Sequence, residues 1–130
     1  MEEINMINEQ DPMYMTKVNI EKILNAINTK KCRTQSDIAK EVKISQTNVS
    51  YNIRRINRYG REIWYENGAY KTSAKKPEDL AFVKVMETML LFYIIRPEIL
   101  NWKEKKICEV FGIERFTISQ FRIYAKNLGM

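Results

Sequence analysis

The chain has 130 residues, of which 45% are apolar and 29% charged, and its formal net charge is +6. This length fits one ordinary domain or two very small lobes sharing a core, and the apolar fraction excludes a disordered chain. Histidine is absent and the two cysteines lie far apart, which excludes a histidine-based catalytic dyad and a zinc site made from cysteines alone. We expect a protein that is not an enzyme and needs neither a cofactor nor a metal.

The N-terminal segment over residues 1–15 is acidic, and we predict that it is a flexible arm. Its first ten residues, MEEINMINEQ, lack the basic and apolar regions of a secretory leader. The longest apolar run, MLLFYII over residues 89–95, is far shorter than the roughly 20 residues of a membrane-spanning helix. The sequence therefore predicts a cytoplasmic protein with reduced cysteines and no membrane contact.

The positive charge is concentrated in the middle of the chain. The formal net charge is −3 over residues 1–29, +8 over residues 30–76 and +1 over residues 77–130. A basic segment of this kind is expected of a surface that neutralises phosphates and releases counterions. A solvated basic face is the alternative, and charge alone does not distinguish the two.

Three short helices are predicted over residues 16–56. The first runs from about residue 16 to residue 28, and a capping box of Thr34 and Asp37 starts the second. Ser45 is a favourable N-cap for the third. The tight turn between the last two helices predicts a helix-turn-helix. The apolar stripes of the first and third helices consist of Ile20, Ile23, Leu24, Ile27, Val49, Ile53 and Ile56.

The opposite face of the third helix carries amides, hydroxyls and guanidiniums, and no acidic residue occurs from Ser45 to Gly60. These groups can read base edges and bind phosphates. The DNA contacts predicted for this helix and the turn after it are Ser45, Gln46, Thr47, Asn48, Ser50, Tyr51, Arg54, Arg55 and Arg58.

The segment REIWYENGAYKTS over residues 61–73 predicts a β-hairpin. Asn67-Gly68 suits the two positive φ angles of a type I′ turn. In the resulting register Tyr65 faces Tyr70, and Trp64 faces Lys71. Asn67 and Lys71 complete the DNA contacts predicted for the first half of the chain.

The order of helix, helix, turn, helix and hairpin, with TQSDIAKEVKISQTNVSYNIRRI at its centre, resembles the winged helix-turn-helix family of DNA-binding proteins. The resemblance covers about residues 16–73 of a domain that we assign to residues 16–76. It implies a recognition helix over residues 46–57 in the major groove and a wing around residues 66–69 near the DNA backbone or minor groove. The turn position that usually holds glycine is Lys43 here, so a lysine must adopt the turn conformation at some cost.

Residues 77–130 form the second predicted domain. Pro77 suits the first turn of a long helix that ends at Ile95, before Pro97. Because this helix is apolar on nearly every side, we predict that it is buried partly within the chain and partly against a second copy. The helix over residues 77–95 then makes the protein a homodimer. The side chains on which this argument depends are Phe82, Val83, Met86, Leu90 and Tyr93.

A second helix-turn-helix-like unit is predicted at about residues 103–127. There EKKICEVFGIERFTISQFRIYAKN repeats the apolar pattern of the first unit, with Cys108 in the small-residue position and Gly112 in the turn. Its outward face is less basic than the first, and a helical cap that packs the long helix is the alternative to DNA contact. The outward side chains are Phe116 and the predicted DNA contacts Arg115, Ser119, Gln120 and Arg122.

The predicted fold class is mainly α with a small β-hairpin wing: a winged helix-turn-helix, a long apolar helix and a second helix-turn-helix-like unit. The expected function is sequence-specific binding of double-stranded DNA, with transcriptional regulation as the leading role. An origin-binding replication initiator or accessory protein is one alternative, because two such units in one chain resemble plasmid replication initiators. A protein-contact adaptor that uses winged-helix units is another.

Overall fold

A computed structural model of the chain describes Ile7 and residues 9–128. The described residues are mainly helical with one antiparallel two-stranded sheet, which confirms the predicted fold class. Three short 3₁₀ turns cover Asn57–Tyr59, Pro77–Asp79 and Pro97–Asn101. The other elements are α1 (Tyr14–Lys30), α2 (Gln35–Val42), α3 (Gln46–Ile56), β1 (Ile63–Glu66), β2 (Ala69–Thr72), α4 (Ala81–Ile95), α5 (Glu104–Phe111) and α6 (Arg115–Asn127).

The chain divides into two compact units. The first unit contains Met15–Val83 with Ile7, and the second contains residues 9–14 and 84–128. The division therefore falls inside α4, whereas the sequence places it before residue 77. Helix α1 begins at Tyr14 and Met13 is fully buried, so the C-terminal end of the predicted arm is packed structure. Residues 1–6 and 8 of that arm lie outside the described residues.

The first unit is built around the apolar stripes that the sequence predicts. All seven side chains of the two stripes are buried, and Ile38 of α2 and Ile63 of β1 join them. The start of α2 is the predicted capping box, since Thr34 Oγ1 accepts the Asp37 N–H at 3.0 Å and Asp37 Oδ2 accepts the Thr34 N–H at 3.2 Å. The start of the helix-turn-helix is therefore determined by local hydrogen bonds, and its packing by burial of one face of each helix.

The turn after α2 has the conformation that the sequence requires of Lys43. Its φ of 60° and ψ of 42° are left-handed, and the N–H groups of Lys43 and Ile44 both reach the Ala39 carbonyl. The turn after α5 has the same geometry, with Gly112 at φ 63° and ψ 41° and both N–H groups directed to the Cys108 carbonyl. The two helix-turn-helices thus share one turn type, closed by glycine in the second and by lysine in the first.

Replacing Lys43 by glycine is expected to raise the free energy of unfolding by about 1 kcal/mol, because a Cβ atom disfavours the left-handed conformation. Gly112→Ala is the matched reverse change and is expected to lower it by about the same amount. A Cβ at Gly112 meets no heavy atom within 4 Å, so that effect comes from backbone strain and not from a clash. Urea denaturation of both variants measures the effects; a Lys43→Gly variant less stable than the native chain contradicts this account.

The hairpin has the predicted turn and register. Asn67 and Gly68 have φ angles of 52° and 79°, as a type I′ turn requires. Tyr65 pairs with Tyr70, and their rings meet edge to face with centroids 5.3 Å apart. In the neighbouring pair Trp64 lies opposite Lys71. The turn chemistry alone was therefore enough to predict which side chains face each other.

The second unit contains most of α4 together with α5 and α6. Phe92 of α4 makes edge-to-face ring contacts with Trp102 and Phe111, and Tyr93 makes one with Phe121. The N-terminal residues of this unit are attached by Asn127, whose Nδ2 donates to the Pro12 carbonyl at 3.0 Å.

The long helix differs from its prediction in two respects. Pro77 opens a 3₁₀ turn, and α4 begins only at Ala81 because Leu80 has extended backbone angles. The five apolar side chains used to argue for a partner chain, Phe82, Val83, Met86, Leu90 and Tyr93, are all buried within one chain. The argument from those residues is therefore wrong. The exposed apolar side chains of α4 are Leu91, Ile94 and Ile95 instead.

Candidate nucleic-acid interface

The outward face of α3 presents the polar side chains that the sequence predicts, with one exception. Ser45 caps the helix by accepting the Asn48 N–H at 3.1 Å, so its hydroxyl has a structural role as well. Ser50 and Tyr51 are half-buried, as is Arg58 in the following turn. The exposed members of the predicted set on this helix and its cap are Ser45, Gln46, Thr47, Asn48 and Arg54.

The exception is Arg55, which points inward and is only 7% exposed. Its guanidinium carbon lies 4.9 Å from the Tyr51 ring centroid and 5.6 Å from that of Phe82, and its Nη2 donates to Asn52 Oδ1. Arg55 sits at the edge of the apolar stripe, and Phe82 covers that edge. The prediction that Arg55 projects toward DNA is therefore wrong, whereas Arg54 does project outward.

The wing is attached to the end of α3 by Asn57, a residue that the sequence reading did not select. Asn57 Oδ1 accepts the N–H groups of Glu62 and Ile63 at 2.9 and 2.8 Å, and its Nδ2 donates to the Ile63 carbonyl at 2.8 Å. On the other strand the Tyr70 N–H donates to the Cys32 carbonyl at 2.9 Å. These bonds attach the hairpin to the end of α3 and to the segment before α2, with Asn67 exposed at its tip and Lys71 half-buried.

The formal charge is distributed very unequally between the two units. Residues 15–83 of the first unit carry fourteen basic and seven acidic side chains, a net charge of +7. The described residues of the second unit carry eight basic and seven acidic side chains, a net charge of +1. A polyanion is therefore attracted mainly to the first unit.

The predicted contacts of the second helix-turn-helix are partly engaged within their own unit. Arg115 and Arg122 both bind Glu104 of α5, at 2.9 and 3.2 Å. Hydrogen bonding from Arg115, together with the charge of both guanidiniums, lowers the pKa of the Glu104 carboxyl, so it remains charged at neutral pH. Ser119 is exposed and Gln120 half-buried. The charge of the two arginines is thus offset in part by one carboxylate of the same unit, which the sequence pattern did not reveal.

A comparison of equivalent positions separates the two helices further. Counting from the residue after each turn, Arg54 of α3 corresponds to Ile123 of α6, which is 53% exposed. The half-buried Phe116 of α6 corresponds to Thr47. The second helix therefore presents apolar groups where the first presents a guanidinium and a hydroxyl, and it is the poorer surface for phosphates.

The part of the chain that the structure describes also bears on metal binding, thiol chemistry and membrane insertion. Among those residues no group of three or more His, Cys, Asp or Glu side chains is arranged to hold a metal ion. Burial raises the pKa of the Cys32 thiol, and the nearby carboxylates of Asp37 and Glu41 raise it further; a thiol of this kind is unreactive near neutral pH. Cys108 is half-buried. No helix within residues 9–128 has the length and apolar character needed to cross a membrane.

Comparison of the chain with protein-family models, curated proteins and solved structures gives no match. The assignment of a function therefore depends on the residues and geometry described above.

Replacing Gly68 by valine is expected to destabilise the wing, because a β-branched residue is strained at a φ of 79°. A Cβ there meets no heavy atom within 4 Å, so the strain comes from the backbone angle and not from a contact of the Cβ. We expect a loss of about 1–2 kcal/mol in the free energy of unfolding and weaker binding to duplex DNA. Thermal unfolding and fluorescence anisotropy measure the two effects. If the variant folds and binds DNA as the native chain does, the wing does not contribute to binding.

Proposed function

We propose that the chain is a sequence-specific double-stranded DNA-binding protein that acts as a transcriptional regulator. The first unit inserts the N-terminal half of α3 into the major groove. The hairpin lies against the adjacent backbone or minor groove, where Asn67 and Lys71 make contact.

The observation that carries the proposal is the surface of α3. Its exposed side chains are amides, hydroxyls and the guanidinium of Arg54, without an acidic residue from Ser45 to Gly60, and they belong to a unit with a net charge of +7. Amide and hydroxyl groups read base edges, and basic groups bind phosphates. A helix exposed for no other reason than solvation is more typically covered by mixed acidic and basic residues.

The hydrogen bonds that attach the hairpin to α3 also support the proposed DNA binding. Asn57 joins the end of α3 to β1 through three hydrogen bonds. The orientation of the wing relative to the helix is therefore constant before any DNA is bound. A binding surface that is already ordered in the free protein loses little conformational entropy when it binds DNA.

We also propose that the protein binds DNA as a homodimer through the exposed end of α4. Leu91, Ile94 and Ile95 are exposed there, and an open groove beside them is lined by Pro12 and Leu128, among others. Covering these side chains with a symmetric partner removes apolar surface from water. The preferred DNA is then an imperfect palindrome with half-sites separated by one helical turn or a multiple of it.

Selection of bound sequences from a random duplex library tests the function directly. The expected result is a motif with two inverted half-sites. The absence of any enriched motif, with binding that still depends steeply on salt, contradicts sequence specificity. Mapping of the bound sites on genomic DNA tests the first alternative: sites clustered at a replication origin and not at promoters indicate a replication initiator.

The adaptor alternative is favoured by one feature of the second unit. Arg115 and Arg122 are bound by Glu104, and Ile123 is exposed where α3 has Arg54. We propose that this second face contacts protein and that DNA binding is confined to the first unit. If the whole chain shows no affinity for duplex DNA at low salt, the adaptor role remains for both units.

A further inference from the structure

A series of hydrogen bonds runs along one edge of α3. Asn48, Asn52 and Arg55 lie at positions i, i+4 and i+7 of the helix, so their side chains are stacked one turn above another. Arg55 Nη2 donates to Asn52 Oδ1, and Asn52 Nδ2 donates to the Asn48 carbonyl at 2.9 Å and to Asn48 Oδ1 at 3.3 Å. The inner two members are buried, with Asn52 only 1% exposed, whereas Asn48 is exposed at the outer end.

The inner end of this series is held rigidly. The Arg55 guanidinium carbon lies 4.9 Å from the Tyr51 ring centroid and 5.6 Å from that of Phe82, which is fully buried at the start of α4. A guanidinium placed over aromatic faces is attracted by both rings and loses freedom to rotate. Arg55 therefore presents its donors to Asn52 in one direction.

Donor and acceptor chemistry transmits this direction to the exposed residue. Arginine can only donate, so the atom of Asn52 that faces it must be the oxygen, and the Asn52 amide nitrogen must face Asn48. That nitrogen can also only donate, and it donates to the Asn48 backbone carbonyl at 2.9 Å and to Asn48 Oδ1 at 3.3 Å, so Oδ1 is the atom of the Asn48 amide that faces it. Nδ2 of Asn48 is thereby directed away from the series, and one lone pair of Oδ1 remains for a second partner.

We infer that Arg55 and Asn52 are positioning residues that fix the amide orientation of Asn48, and that Asn48 reads an adenine in the major groove. This inference rests on the proposed function. Asn48 lies in the first turn of α3, the part of a recognition helix that contacts base edges. An oriented amide that offers one donor and one acceptor side by side matches N7 and the N6 amino group of adenine.

The inference predicts different roles for two adjacent arginines. Arg54 is exposed and available for a phosphate, whereas Arg55 acts through Asn52 and contacts no DNA. Arg54→Gln is therefore expected to reduce the salt dependence of binding by about one counterion and to leave base preference unchanged. Arg55→Gln is expected to leave the salt dependence unchanged and to weaken the adenine preference. These two substitutions remove the same charge one residue apart, so each is the control for the other.

The experiment compares the native chain with Arg54→Gln, Arg55→Gln and Asn48→Ala by selection from random duplex DNA and by titration at several salt concentrations. In the native chain we expect one position in each half-site at which adenine is preferred by about 5- to 150-fold. Asn48→Ala removes that preference alone, and Arg55→Gln reduces it at the same position. The inference is overturned if Asn48→Ala leaves the motif intact, if guanine is selected at the position that Asn48 controls, or if Arg55→Gln changes only the salt dependence.

A second variant covers the case in which Arg55→Gln does not fold. Asn52→Asp keeps the acceptor that Arg55 needs and removes the donor that faces Asn48. It is expected to lose the same adenine preference, and an unchanged preference overturns the inference.

A measurement without DNA separates failure of this inference from failure of the proposed function. In ¹H–¹⁵N spectra the side-chain amide protons of Asn52 are expected to exchange slowly with water in the native chain and faster in the Arg55 variant. Fast exchange in the native chain means that the hydrogen-bonded series is absent, which overturns the inference. Slow exchange in a chain that binds no DNA rejects the proposed function and, with it, the reading of adenine.

Discussion

Replacing Arg54, Arg58 and Lys71 together by glutamine is expected to lower the affinity for duplex DNA on the order of 10²-fold at 0.1 M salt. The three side chains lie on α3, on the turn after it and on the hairpin, and under the proposed function each contacts a phosphate. Removing three phosphate contacts should reduce the slope of log affinity against log salt by about 2.7, since each contact contributes about 0.9. Fluorescence anisotropy titrations at salt concentrations from about 0.05 M to about 0.2 M give both the affinity and the salt slope.

A matched control in the second unit distinguishes local contact from total charge. Lys103, Lys105 and Lys126 are exposed, and replacing them by glutamine removes the same three charges. If DNA is bound by the first unit, this control changes the salt slope much less than the first variant does. Equal slopes for the two variants contradict the assignment of DNA binding to α3 and the wing. Thermal unfolding of both variants establishes that neither loss of affinity results from loss of the fold.

Replacing Leu90 by alanine is expected to lower the free energy of unfolding by about 3 kcal/mol, whereas the same change at Leu91 alters it by less than about 0.5 kcal/mol. Leu90 is 6% exposed and Leu91 is 63% exposed. Truncating Leu90 therefore leaves a cavity in a packed interior, whereas truncating Leu91 removes a side chain that is mostly in water. Urea denaturation at low protein concentration measures both effects.

The same pair of variants tests the proposed homodimer. Leu91→Ala is expected to weaken self-association in sedimentation experiments, because Leu91 belongs to the exposed apolar end of α4. Leu90 is buried within one chain, so the main effect expected of Leu90→Ala is a lower free energy of unfolding and not weaker self-association. A native chain that sediments as a monomer with and without DNA rules out the dimer and the palindromic half-sites that follow from it.

The local features of the fold could be predicted because they depend on neighbouring residues. The capping box of Thr34 and Asp37 and the N-cap at Ser45 follow from side chains within three residues of the groups that they bind. The hairpin register follows from Asn67-Gly68, since a two-residue turn leaves one way to pair the strands. The left-handed turn at Lys43 follows from the resemblance, since Lys43 stands at the turn position that usually holds glycine.

Three features could not be predicted because they depend on residues distant in the sequence. Arg55 is a charged residue at the edge of an apolar stripe, and such residues are normally exposed; it is buried because Phe82 reaches that edge. Glu104 binds two arginines that follow it by eleven and eighteen residues. The burial of Leu90 and Tyr93 within one chain likewise requires the packing of the second unit.

The sequence by itself therefore determined α1–α3 with their caps and turn, the hairpin and its register, and the concentration of positive charge before residue 77, because spacing, capping and turn chemistry act over a few residues. Only the tertiary structure decided the burial and the partners of side chains at the edges of these elements. In the folded chain Arg55, which the sequence predicts as a DNA contact, faces inward beside Asn52. The two arginines of α6 bind Glu104, and Leu91 is exposed next to a buried Leu90. The physical reason is that the side of a helix is set by its own periodicity, whereas the covering of its edges depends on segments that meet only in the folded chain.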